Sequence, residues 1–301
     1  VPNRRVALIL LLFSPVTGLA AVPDLSWYVE SLCPDDGLAC TSEEVVYGQC
    51  LHVPNGRCLQ QAVGDSGRRA GRTPALPTGP HALRFDGVDD IVTVRASRAL
   101  PVTTAFTLEA WVRPAPAPRS LSCGVIAGKD GEFLLGRTRR GTLEWALNAA
   151  EPGFVFVEAA GAVVPDGVWS HVALTYDGAR VHAFLNGMLV ATQTAAGAIR
   201  RAAAPVSLFR IGGRYDRGAG SGHFAGVIDD VRLWNVARGG AAIAADRSRR
   251  LRGDEAGLIG YWRLDEGRGR AAADTARGHS GVLANGPVWV DGRVKPASAW
   301  L

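Results

Sequence analysis

Hydrophobic and polar residues alternate most regularly from Ala105 to Arg113. Phe106, Leu108, Ala110 and Val112 fall on one side of the chain, and Thr107, Glu109, Trp111 and Arg113 on the other. A period of two is that of a β-strand with one face buried. Shorter runs of the same kind cover 81–86, 91–95, 123–128, 132–137, 142–147, 154–158, 207–212, 223–235, 258–264 and 282–290. Turn-forming residues separate them at the spacing of a sandwich. From Gly167 to Thr194 three strand-like runs are broken by Asp177-Gly178 and Asn186-Gly187. Both dipeptides suit a type I′ turn, whose central residues need φ > 0, so this stretch reads as an antiparallel meander. One helix is expected, over Gly240–Leu251. It is alanine-rich, and Arg247, Arg249 and Arg250 fall in its last turn, where positive charge suits the helix dipole. A dozen strands without βαβ alternation predict an all-β fold: a two-sheet antiparallel jelly-roll sandwich with one short helix.

The pattern also divides the chain of 301 residues. Arg4-Arg5, the apolar run Val6–Phe13 and the small residues at 18–21 have the order of a secretory signal, so residues 1–21 are expected to be removed and the protein secreted. No apolar run approaches the ~20 residues of a spanning helix. Residues 22–64 form a segment with Cys33, Cys40, Cys50 and Cys58. After a signal, four cysteines over so short a span read as two disulfides, with three connectivities open. A zinc site is the alternative, weakened by the lack of a C-x-x-C pair. Residues 65–80 are a Gly-, Pro- and Arg-rich linker, 81–292 the sandwich and 293–301 a tail. Cys123 is an odd cysteine, either paired with one of the four or buried alone.

Charge changes the picture little. The net charge of +5 comes from 33 basic and 28 acidic residues, and the only lysines are Lys129 and Lys295. The arginines lie scattered among acids and form no stripe, which argues against a nucleic-acid partner.

Six motifs occur in order: F-D-G-V-D-D-I-V (85–92), F-T-L-E-A-W-V (106–112), W-S-H-V-A-L-T-Y-D-G (169–178), F-L-N-G (184–187), G-V-I-D-D-V-R-L-W-N-V-A-R (226–238) and G-L-I-G-Y-W-R-L-D-E-G-R-G (257–269). Together they resemble the laminin G-like and pentraxin-like branch of the concanavalin A-like lectin/glucanase superfamily. The resemblance covers about 81–290 and leaves the cysteine segment aside. It implies a secreted module that binds a glycan or an extracellular protein, often with a structural calcium ion, and it makes an oligomer a possibility because pentraxin-like relatives form rings. The E-x-D-x-x-E strand of the superfamily's β-glucan hydrolases is absent: Val227–Arg232 reads V-I-D-D-V-R, without glutamate. A non-catalytic module is therefore expected. The alternatives are a glycan hydrolase or lyase on the same sandwich and a structural cell-surface interaction domain. A hydrolase would need two carboxylates facing one sheet surface, and Glu109, Glu132, Glu144 and Glu158 share no motif.

In the resembled family the late strand pairs near the first tight loop, so the resemblance implies a calcium site at Asp86, Asp89 and Asp90 of that loop with Asp229 and Asp230 of the late strand beside it, an oxygen cage of the kind calcium takes. Asp89 and Asp229 are the leading ligands. The bland alternative is Asp-rich turn chemistry. For a ligand, Trp145 is expected to be exposed, whereas Trp169, Trp234 and Trp262 are expected in the core. Tyr215, Asp216, Arg217 and His223, in and after a glycine-rich loop, complete the candidate ligand residues. His171 and His182 read as ordinary strand residues.

Overall fold

The computed structural model describes residues 41–46, 49–54, 80–94, 100, 102–116, 123–202, 208–214 and 222–293, the first two of these by backbone alone. The chain divides into two compact units, Val1–Ala75 and Leu76–Leu301. In the first, β1 (Thr41–Val46) and β2 (Gln49–Pro54) form an antiparallel pair. The signal segment, the four cysteine side chains and almost all of the linker lie outside the described residues.

The second unit holds β3 (His81–Asp86), β4 (Ile91–Val94), β5 (Phe106–Pro114), β6 (Cys123–Lys129), β7 (Phe133–Thr138), β8 (Thr142–Glu151), β9 (Phe154–Val163), β10 (Ser170–Tyr176), β11 (Arg180–Leu185) and β12 (Met188–Thr194). These are followed by β13 (Ala196–Ile199), β14 (Phe209–Ile211), β15 (Gly222–His223), β16 (Ala225–Trp234), α1 (Gly240–Asp246), β17 (Leu258–Trp262), β18 (Ala271–Ala272), β19 (Gly281–Ala284) and β20 (Val288–Asp291). Eight strands form one sheet, in the order β12-β11-β10-β5-β16-β3-β20 with β17 on β16. Ten form the other, in the order β13-β8-β7-β6-β14-β4-β19-β18 with β15 on β6 and β9 on β8. The unit is the expected all-β sandwich.

The inward residues of both sheets make one apolar core. Phe106, Leu108, Ala110 and Val112 of β5 are all buried in it, as their alternation requires. Phe106 stacks on Phe133 and Phe209 on Trp262, with ring centroids 4.5 and 4.8 Å apart, so aromatic pairs bridge the two sheets.

The meander forms as expected, but its two turns differ. Asn186 and Gly187 both have positive φ, and Leu185 pairs with Met188, which makes the two-residue type I′ turn. Between β10 and β11, Tyr176 pairs with Val181, leaving a four-residue loop. Asp177 Oδ1 accepts from the backbone N–H of Ala179 and Arg180 at 2.8 and 2.6 Å, and this side-chain turn replaces the I′ geometry.

The helix is shorter than expected. It ends at Asp246, with no basic residue in its last turn. The carbonyls where it would continue are taken by side chains: Arg232 donates to Asp246 O and Arg249 O at 3.0 and 2.6 Å, and Trp111 Nε1 donates to Arg247 O at 2.6 Å. The chain is held there in a turn against the outer face of the eight-stranded sheet.

Candidate functional site

The first candidate is the loop between β3 and β4. One ligand oxygen from each of Asp86, Asp89 and Asp90 can be chosen so that all three lie within 4.8 Å of one another. Asp86 is a turn former, since its Oδ1 accepts from Val88 N at 2.7 Å. Asp90 is different. It is 4% exposed, and its Oδ2 accepts from Asp86 N at 2.8 Å. Its Oδ1 is buried and has no hydrogen-bond partner among the described residues. Burial raises the Asp90 pKa, Asp86 and Asp89 add to the rise, and the Asp86 N–H opposes it. A buried carboxylate oxygen beside two other carboxylates is satisfied by a cation. The three residues thus fit a hard divalent ion. The turn between β19 and β20 leans on the loop: Asn285 Nδ2 donates to Asp89 O at 2.9 Å, and Asn285 has φ 66°.

Asp229 and Asp230 are not part of this cluster. In the β16–β3 ladder Ala225 pairs with Asp86 and Ile228 with Leu83, so Asp229 lies four residues further along, about 13 Å away. The two aspartates sit instead at a β-bulge. Asp229 pairs with Trp111 and Arg232 with Glu109, one residue more on β16 than on β5, and Asp230 takes φ 55°. The bulge aims Asp230 at Tyr261, whose hydroxyl donates to Oδ1 at 2.6 Å, and at Arg232 and Arg293, each 3.5 Å away. Adjacent strand aspartates therefore serve an internal network rather than the early loop.

That network covers the outer face of the eight-stranded sheet. Glu109, fully buried, accepts from Trp234 Nε1 at 2.8 Å and from Arg238 at 3.4 Å. His171 Nε2 lies 3.3 Å from its other oxygen, and Arg232 3.8 Å from the first. Burial alone would raise the Glu109 pKa; the His171 hydrogen bond and the Arg232, His171 and Arg238 charges overcome it and hold it at about 2. Burial lowers the pKa of His171, and the neighbouring Glu109 opposes the fall. Trp234, Leu251, Leu258 and Tyr261 form a second apolar cluster beside these charges. Trp234 is buried, as expected, but there rather than between the sheets.

The expected ligand residues fare worse. Trp145 is 1% exposed and faces the core, because Leu143, Trp145 and Leu147 are the inward set of β8; its indole donates to Gln193 at 3.3 Å. His223 is buried, in the short strand on β6. Tyr215, Asp216 and Arg217 lie outside the described residues. Trp262 is core, and Trp169 is only half-buried, with the Arg113 guanidinium 5.2 Å over its ring.

A second candidate surface emerges on the outer face of the ten-stranded sheet, at β8 and β9. The hairpin places Asn148 opposite Phe154, Ala146 opposite Phe156 and Glu144 opposite Glu158. Phe154 and Phe156 are 47% and 53% exposed and meet edge to face with centroids 5.3 Å apart. Val157, between Phe156 and Glu158, packs on the core. Directly opposed residues have Cβ atoms about 5 Å apart, so the two glutamates face outward side by side. Thr142 Oγ1 donates to Glu158 at 2.5 Å. Burial raises the Glu144 pKa; the Cys123 thiol hydrogen-bonds it, Glu158 raises it further and Arg214 opposes. Cys123 is thus a thiol partner of Glu144. The signal was in the sequence: Phe154, Phe156 and Glu158 share one parity, and Pro152-Gly153 marks the hairpin that fixes the register.

Comparison with known proteins agrees with this architecture. The sequence profile of the Laminin_G_3 family, described as the concanavalin A-like lectin/glucanases superfamily, matches residues 86–244. The chain belongs to this superfamily. Mouse pappalysin-1 is 28% identical over 206 residues, 61% of this chain and 12% of that protein, and human pappalysin-1 is 27% identical over 220 residues, 66% and 12%. The chain thus spans about an eighth of these relatives. Among solved structures, a candidate carbohydrate binding protein from Bacteroides ovatus superposes with a TM-score of 0.57 at 23% identity, covering 73% of this chain and 62% of its own. This places the lectin/glucanase superfamily's sandwich under both candidate surfaces.

Proposed function

We propose that the protein is a secreted, non-catalytic glycan-binding module of the lectin/glucanase superfamily, with its ligand surface on the outer face of β8 and β9. The observation that carries this is the exposed corner of Phe154 and Phe156, flanked by Glu144, Glu158 and Asn148. Aromatic faces suit the C–H faces of pyranose rings, and the neighbouring polar groups hydrogen-bond sugar hydroxyls. Superfamily membership supports saccharides as the ligand class. The Bacteroides ovatus protein, named a candidate for carbohydrate binding, is consistent with it.

In the same reading a calcium ion sits at Asp86, Asp89 and Asp90. Asp90 Oδ1 supplies a buried oxygen without a hydrogen-bond partner among the described residues, and Asn285 ties this loop to the β19–β20 turn. The role is structural: it fixes the first loop to the end of the sandwich.

One observation favours a second reading, a glycan hydrolase. Glu144 and Glu158 are directly opposed across the β8–β9 hairpin, and two carboxylates on one sheet face are what glycoside hydrolysis requires. A screen over polysaccharides for released reducing ends separates the two. Binding without turnover is expected. Turnover abolished by Glu158→Gln would replace the binding reading with the hydrolase.

A further inference from the structure

Past the Glu109 network, the outer face of the eight-stranded sheet carries a row of a different kind. Val227 of β16 pairs with Arg113 of β5 on one side and with Arg84 of β3 on the other, and Arg84 pairs with Val288 of β20. Their chain neighbours Leu83, Phe85, Val112 and Ile228 are core, so the row faces outward. Arg84 and Val288 are exposed, and Arg113 is half-buried. The Arg113 guanidinium lies over Trp169, and one row along Arg293 lies 3.9 Å over the ring of Trp111. We propose that this row is a second binding surface, on the other sheet from the β8–β9 face and independent of it. Its ligand is an acidic polysaccharide, with Arg84 and Arg113 holding anionic groups on different sugars and Trp169 beside them.

The arginines of this face fall into two sets. Arg232 and Arg238 are spent on Glu109, and Arg293 lies 3.5 Å from Asp230. Among the described residues Arg84 and Arg113 have no ion pair. Contact with the Trp169 ring restrains the Arg113 side chain and leaves its N–H donors unspent. Such donors hold a carboxylate or a sulfate by paired, charge-assisted hydrogen bonds. Spacing sets the length of the ligand. Arg84 and Arg113 stand two strand spacings apart, about 10 Å between Cα atoms. Arg113 leans to the β10 side, because Trp169 immediately precedes Ser170, which pairs with Val112. One anionic group cannot join both arginines, and a chain with an anion on each of several sugars can. The acidic loop stands at the Arg84 end, two residues along β3, where Asp86 pairs with Ala225. A cation in that loop offsets its charge and leaves Arg84 to the ligand.

The test titrates the full chain calorimetrically, in calcium, with a hexamer of galacturonic acid, its fully methyl-esterified form, free galacturonic acid and a sulfated dextran oligomer of like length. The acidic hexamer is expected to bind at least about tenfold more tightly than the ester and than the monomer, and to weaken as salt rises. Arg84→Gln and Arg113→Gln should each weaken it about tenfold at unchanged melting temperature, the loss of one charge-assisted contact. Arg84 is exposed, so its variant reads the site even if Arg113→Gln unsettles Trp169. The sulfated oligomer assigns the anion: tighter binding than the hexamer makes it a sulfate, weaker binding a carboxylate, and both agree with the proposal. Phe154→Ala/Phe156→Ala separates the two surfaces, and the acidic hexamer should bind this variant within about twofold of the wild type. Loss of the hexamer there, with both arginine variants binding like the wild type, places it on β8–β9 and overturns this proposal alone. Equal affinity for acid and ester, equally tight binding of poly-glutamate, or no acidic oligomer bound also overturns it and leaves the β8–β9 reading standing.

Discussion

Glu109 and Trp234, 125 positions apart, meet in a 2.8 Å hydrogen bond beneath the chain that packs on the eight-stranded sheet. The same carboxylate holds Arg238 and His171, so one buried charge joins β5, β10, β16 and the turn after β16. Glu109→Gln leaves Arg232 and Arg238 facing a neutral group in a buried site. A loss of roughly 3–5 kcal/mol is expected, the cost of breaking a buried pair from one side. Urea unfolding measures it. A loss below about 1 kcal/mol would show that the carboxylate does not hold these elements together.

The same network sets the response to acid. Folded His171 titrates below its ordinary 6.5, so the folded state binds fewer protons and its contribution is lost as pH falls below about 6.5. Folded Glu109 titrates at about 2 against 4.5, so its contribution is present above 4.5 and is lost between 4.5 and about 2. The melting temperature should fall in two stages on acidification. In His171→Gln the upper stage disappears. A melting temperature flat from pH 7 to about pH 2 would contradict both assignments.

Most of this sandwich was legible in the sequence, because alternation fixes which residues face inward and β5 alternates without interruption. What failed did so where tertiary contacts override local pattern. The local pattern runs the helix five residues too far, because Arg232 and Trp111, distant in sequence, take its last carbonyls. Asp229 and Asp230 were assigned to the early loop because the bulge that turns Asp230 toward Tyr261 leaves no local signature in V-I-D-D-V. Trp145 was read as exposed although its parity matches Leu143 and Leu147; the parity was the better guide. The Glu144–Glu158 pair carries no motif, and only the register set by the Pro152-Gly153 hairpin brings the two together.

Trp145 therefore tests core against ligand site. Trp145→Ala should cost about 3–5 kcal/mol and leave glycan affinity in the folded fraction unchanged. Binding lost without a drop in stability would return Trp145 to the ligand site.

Gly212 has φ +83°, and a Cβ there would lie 2.1 Å from the ring of Phe85. Gly212→Ala combines a left-handed backbone with overpacking of a core aromatic, and roughly 2–4 kcal/mol of destabilisation is expected. Thermal unfolding reads it, and an unchanged midpoint would mean that Phe85 does not occupy this position.

At the acidic loop, chelator should lower the melting temperature and added calcium restore it, with Asp90→Asn insensitive to both. Identical melting curves in chelator and in calcium would remove the ion from the account.

The central claim is saccharide recognition on the β8–β9 face. It is tested most directly by a glycan array probed with the wild-type chain and with Phe154→Ala/Phe156→Ala, each in calcium and in chelator. The account predicts a defined set of bound glycans for the wild type and loss of that set in the double variant at unchanged melting temperature. An identical set bound by both proteins, or no glycan bound by the wild type in calcium, would contradict it.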